Sequence, residues 1–183
     1  MAEPKIKRAE SGKSKGKTFT NLLGTYRKAM REGFYGEAEL ILYAFMEDRL
    51  KSFIDYSEGM ESSKLNNNTS EKVRSLFPSI ENVKDISSKC KLIRKMLNLV
   101  DKDPYDTEYS RELANLYSKY IDVKEFKAVL KGIDKWCGYR NEHVHAMFNK
   151  DLDDLRANYK AHVEDGYELA RYIDNQVKRI KSV

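Results

Sequence analysis

Proline, cysteine and tryptophan are scarce in this chain of 183 residues: three, two and one, with nine glycines beside them. So few turn-forming residues exclude a collagen-like repeat and argue against a fold of many short strands joined by tight turns. Two cysteines, Cys90 and Cys137, are too few for a disulfide framework or a closed structural zinc site, and they read as small buried hydrophobes. Long apolar runs are missing as well. LILYAFM, from Leu40 to Met46, falls far short of the roughly 20 residues that a membrane-spanning helix needs. The N-terminus is polar and basic with no apolar signal core, so the expected compartment is the cytoplasm. What abounds is charge: 34% of residues are charged against 40% hydrophobic, the balance of a soluble, helix-rich domain.

The net charge of +5 is unevenly placed. Residues 1–17 hold six basic side chains, Lys13, Lys15 and Lys17 among them, against two acidic ones; this +4 leaves only +1 for the remaining 166 residues. With Ile6 as its one sizeable aliphatic side chain, this stretch has too little apolar surface to offset ordering, and it reads as a flexible basic arm. Residues 18–183 form a single domain.

Within that domain the apolar residues recur at spacings of three and four. Phe19, Leu22, Leu23, Tyr26 and Met30 predict a first helix capped by Thr18 or Thr20, which Gly33 and Gly36 end. A long helix follows over 36–56, apolar nearly all round in its first half through Leu40, Ile41 and Ala44, as in a central helix packed by several neighbours. After a polar loop over 58–70, a short helix from Ser70 is barred from continuing by Pro78. Further helices are expected over 82–100, 107–120, 123–148 and 151–181, with a DKDPYD turn at 101–106. No run alternates with period two, so the fold class is all-α, a bundle of five or six helices.

Three clusters bear on chemistry. Gly12, Gly16, Lys17 and Thr18 resemble a phosphate loop, but three residues separate the glycines where four are needed, and no strand precedes them. His143 and His145, two apart, point to nearly opposite sides of a helix and lack the four-residue spacing of a zinc-binding helix; no metal is expected. The third cluster is RNEHVH, Arg140 to His145. Asn141 and His145 share a helix face, and the long side chain of Arg140, about 100° round from Asn141, reaches toward the same edge. An imidazole that titrates near neutrality beside a permanent guanidinium suits RNA strand cleavage, where a ribose 2′-OH must lose a proton and a dianionic phosphorane must be stabilised. Arg156 and His162, with five residues between them against four between Arg140 and His145, form a second arginine-to-histidine pair, but Ala157 follows the arginine and His162 falls in the apolar stripe of the last helix, so this second pair reads as a decoy. Trp136 and Tyr139 are candidates to stack on a base, with core packing the stronger reading for the tryptophan.

Arg140, Asn141 and His145 resemble the Arg, polar residue, three variable residues, His motif of the HEPN superfamily, the higher eukaryotes and prokaryotes nucleotide-binding domains. The GEAELILYAFMEDRLKSFI segment is similar to that family's acidic-hydrophobic helix. The resemblance implies a HEPN-like helical bundle acting as a metal-independent endoribonuclease, a hydrolase that needs no cofactor. It leaves a 2′,3′-cyclic phosphate at a site shared across a homodimer. The settings it implies are a toxin, with a protein antitoxin or regulator, and antiviral defence. Carried over, Arg140 stabilises the scissile phosphate, Asn141 orients it and His145 transfers a proton, with Glu39 or Glu47 holding Arg140 and His143 in support. The arm lysines Lys13, Lys15 and Lys17 add nonspecific phosphate affinity. Two other readings stand beside this one: a noncatalytic helical module for a protein or nucleotide, and a metal-dependent enzyme using His143, His145 and His162.

Overall fold

The computed structural model describes residues 12–64, 83, 85–102, 104–146 and 152–181, and their side chains other than those of 12–15, 58–64, 109, 140–146 and 152–155. The protein is an all-α bundle. Its helices are α1 (Gly12–Glu32), α2 (Tyr35–Lys64), α3 (Ile86–Leu97, continued by a 3₁₀ turn to Asp101), α4 (Glu108–Tyr120), α5 (Val123–Ala146) and α6 (Leu152–Lys181). The short helix expected at Ser70 lies outside the described residues.

Local chemistry sets the helix ends. Gly33, at φ +76°, is the residue that closes α1. Its N–H donates to Met30 O and that of Phe34 to Ala29 O (2.8 Å), the paired bonds of a Schellman cap. Gly36 breaks nothing: it lies in the first turn of α2, because the left-handed residue at 33 is enough to turn the chain. Asp85 caps α3, accepting from the Ser88 backbone N–H (2.7 Å) and hydroxyl (2.9 Å). Those two bonds, the backbone one foremost, hold its carboxyl below the usual carboxylate range. Thr107 caps α4 and Asp122 caps α5 in the same way. At the other end, α1 reaches back to Gly12, so 12–17, which composition assigns to the arm, are helical.

Helix α2 is the centre of the bundle, packed against α6 above all and also against α1 and α3; α3 rests on α5, and α5 on α6. Its Leu42, Met46, Leu50 and Phe53 are fully buried. Phe53 meets Phe126 edge-on (centroids 5.1 Å) and lies beside Tyr117, whose hydroxyl donates to Ser57 (2.9 Å) in the core. Arg49 ties three helices together, its guanidinium 4.1 Å from the Phe19 ring centroid and 3.6 Å from Asp174. The expectation that neighbours surround the first half of α2 is corrected in one respect: Leu40 is 56% exposed and Ala44 is exposed too, so that side has no covering helix among the described residues. Cys90 is buried and Cys137 half-buried, and burial pushes the Cys90 thiol well up, away from the reactive thiolate. No helix among the described residues is long and apolar enough to cross a membrane.

Tyr26 of α1 stacks on Tyr167 of α6 (centroids 5.0 Å, planes 5° apart). Burial first, then Tyr167, Glu164 and Glu168, pushes its phenol from 10.0 up to about 12. The folded state therefore holds this proton more tightly than the unfolded chain. The resulting stabilisation is complete below pH 10 and lost as pH rises from 10 to 12. Tyr26→Phe is expected to flatten the fall of urea midpoints across that window; an unaltered slope would show that Tyr26 is not the titrating group.

Candidate functional site

Helices α5 and α6 run antiparallel, as three contacts show. Tyr172 O–H donates to Glu125 (3.2 Å), a Cβ on Gly132 would lie 3.3 Å from Leu169, and Trp136 meets His162 and Gly166. Glycines at 132 and 166 cost helix propensity, about 1 kcal/mol each relative to alanine. In exchange they let the two backbones approach closely. The Trp136 indole lies so close to Gly166 that a Cβ there would fall 2.6 Å from it, and its Nε1–H donates to the His162 carbonyl (2.8 Å).

The His162 imidazole stacks on that indole (centroids 5.0 Å, planes 8° apart), and Tyr139 approaches it edge-on at 6.3 Å. Its Nε2 lies 3.0 Å from Glu39 Oε1, while Glu39 Oε2 accepts from the Tyr159 hydroxyl at 2.6 Å. Glu39 and His162 are both buried. With Glu39 ionised, its oxygens only accept, so Nε2 carries the proton of the His162 bond. Sequence places His162 in the apolar stripe, and there it is; its link to Glu39, 123 residues away, is what spacing does not reveal. One local sign exists: a carboxylate beside the apolar run Leu40–Met46 needs a partner if buried.

Glu39→Gln is expected to lower stability by about 1–2 kcal/mol, because the charge is lost and one of the two accepting oxygens becomes an NH2 donor that faces the Tyr159 hydroxyl or His162 Nε2. A shift in the urea midpoint reads it. No shift would mean that the carboxylate charge contributes nothing to the bundle.

The other expected site residues divide as follows. Arg140, Asn141, His143 and His145 occupy the last two turns of α5, directly after Tyr139, and their side chains lie outside the described set. Glu39 sits in the neighbouring cluster of Trp136, Tyr139, Tyr159 and His162. Glu47 lies elsewhere, its Oε1 accepting from the buried Lys89 Nζ (2.9 Å) on α3. Lys17 is exposed on α1, and Lys13 and Lys15 share that helix. Among the described residues no three His, Cys, Asp or Glu side chains gather as a metal site. Of the three histidines named as candidate ligands, His143 and His145 have side chains outside the described residues.

Between α5 and α6, on the solvent side of the Trp136–His162 stack, runs a cleft of about 610 Å³. Its floor is apolar, from Val129, Gly132, Trp136 and Leu169, and its rim carries Lys135, Asp165, Glu168 and Arg171. No protein-family model, curated protein or solved structure matches this chain.

Proposed function

We propose that the protein is a metal-independent endoribonuclease of HEPN type, acting in the cytoplasm as a homodimer in which two copies of the 140–145 turn face one RNA strand. The observation that carries the reading is the position of that turn, at the end of α5 that adjoins both the aromatic-lined cleft and the buried Glu39 carboxylate. In the reaction, the His145 imidazole takes the proton of the ribose 2′-OH and O2′ attacks the adjacent phosphorus. The bond to O5′ then breaks and O5′ takes up a proton from the second histidine of the pair. The products end in a 2′,3′-cyclic phosphate and a 5′-hydroxyl. Arg140 stabilises the dianionic phosphorane, and Asn141 orients the phosphate. Toxin or defence activity under a protein regulator is the setting this chemistry suits.

The test is cleavage of end-labelled single-stranded RNA in excess chelator. Cuts that persist and leave cyclic phosphate ends support the reading. Loss of cleavage on metal removal would overturn it in favour of metal chemistry, and no cleavage by the folded protein would leave a noncatalytic binding module.

A further inference from the structure

We propose that the α5/α6 cleft is a subsite for one nucleotide of single-stranded RNA, whose base stacks on Tyr139 and presents an exocyclic amine to Asp165 while a neighbouring phosphate meets Lys135. The choice of RNA as ligand rests on the ribonuclease reading; the shape and chemistry of the cleft do not. At about 610 Å³ it lies within the range of small-molecule sites, and its apolar floor with a few polar groups at the rim is the usual composition of one.

Tyr139 is 41% exposed, one of three large hydrophobic side chains so placed among the described residues, and it stands at the cleft's end. An exposed ring offers a face to a base, and stacking of this kind tolerates any sequence. Lys135 Nζ lies over one face of the same ring, 5.4 Å from its centroid, and pairs with no carboxylate among the described residues; a base stacks on the opposite face, with this charge beside it for the neighbouring phosphate. Arg171 differs, being matched by Glu168 at 3.2 Å on its own helix. Across the cleft on α6, Asp165 is exposed and has no cationic partner among the described residues. A carboxylate accepts from the amine of adenine, cytosine or guanine and repels the carbonyl edge of uracil. The cleft is bounded by helices on both sides, and a base enters it only when unstacked, which favours single strands over duplexes.

Position joins this groove to the candidate catalytic turn: Arg140 is the next residue after Tyr139. A base held on Tyr139 therefore lies beside the first residue of that turn.

Trp136 provides the readout, being the only tryptophan of the chain and lying in the cleft floor. Full-length protein carrying His145→Ala, so that no turnover intervenes, is titrated with oligo(A) and oligo(U). Oligo(A) is expected to shift or quench Trp136 emission and to bind more tightly than oligo(U). Tyr139→Ala should weaken oligo(A) binding about tenfold, Asp165→Ala should erase the preference over oligo(U), and Lys135→Gln should lower the salt slope by about 0.7. These three side chains are exposed, and circular dichroism checks that each variant remains helical.

Unchanged oligo(A) affinity in Tyr139→Ala, with Trp136 emission unmoved on binding, would overturn the subsite even if RNA is cleaved. Conversely, oligo(A) binding with the expected variant effects, in a protein that cuts no RNA, would uphold the subsite while the ribonuclease reading fails.

Discussion

With Arg140→Ala or His145→Ala, RNA cleavage is expected to fall by about a hundredfold to ten-thousandfold, the range measured when a general acid–base group or a stabiliser of transition-state charge is removed. In the proposed mechanism each residue has a separate task, and alanine supports neither. Both positions lie within helical backbone of α5, and alanine is the best helix former, so the substitutions leave the local conformation favourable. The sequence contains an internal control. Arg156 and His162 form a second arginine-to-histidine pair, one residue more widely spaced, yet His162 is buried against Glu39 and Trp136, while Arg156 is exposed. Arg156→Ala is therefore expected to cut RNA at the parent rate. Parallel purification of the three variants also separates the protein's own activity from a contaminating ribonuclease, which would be the same in all. Equal cleavage by Arg140→Ala and Arg156→Ala would sink the proposed site.

Gly166→Val is expected to destabilise the bundle by about 3 kcal/mol or more, the upper part of the range for forcing extra atoms into a packed core. A Cβ at this position would lie 2.6 Å from both Cε2 and Nε1 of Trp136, and 2.7 Å from Cζ2. Retreat of the indole is blocked, since its N–H is bonded to the His162 carbonyl at 2.8 Å and its face is stacked on the His162 ring. Relief would require moving α5 off α6, which opens the core. The gain in helix propensity on replacing glycine, at most about 1 kcal/mol, does not offset this. Gly138 supplies the contrast: it too lies within α5, but nothing stands within 4 Å of a Cβ placed there, so Gly138→Ala is expected to be neutral or stabilising by up to about 1 kcal/mol. Urea unfolding of the two variants decides. Wild-type stability of Gly166→Val would mean that the helices pack further apart than described.

The fold was readable because amphipathic spacing is a local property. Phe126, Ile133 and Trp136 on α5, and Val163, Ala170, Ile173, Val177 and Ile180 on α6, are buried as their three-and-four pattern predicts. Three features were not readable. The extension of α1 to Gly12 needs no core contact, because residues beyond it already nucleate the helix and each further residue adds a hydrogen bond; low apolar content argues against packing, not against helix. The exposure of Leu40 depends on which neighbours α2 acquires, and apolar residues all round a helix do not say whether every side is covered. The triad of Glu39, Tyr159 and His162 joins residues 120 and 123 positions apart, a distance that no spacing rule spans. For the site itself, RNEHVH was legible as a motif, but the cleft beside it follows from how α5 packs on α6, where Gly132 and Gly166 are visible in sequence only as glycines within good helix-forming segments.

The pairing of α2 with α6 governs how the chain matures on the ribosome. Residue 152, where α6 begins, is translated 88 codons after residue 64, where α2 ends, so a loop of that length must close before the centre of the bundle is sealed. A nascent chain halted before α6 emerges keeps one flank of its central helix open to water, where chaperones and proteases find it. A fragment that stops before residue 152 is therefore expected to be cleared, because α6 is what covers that flank of α2.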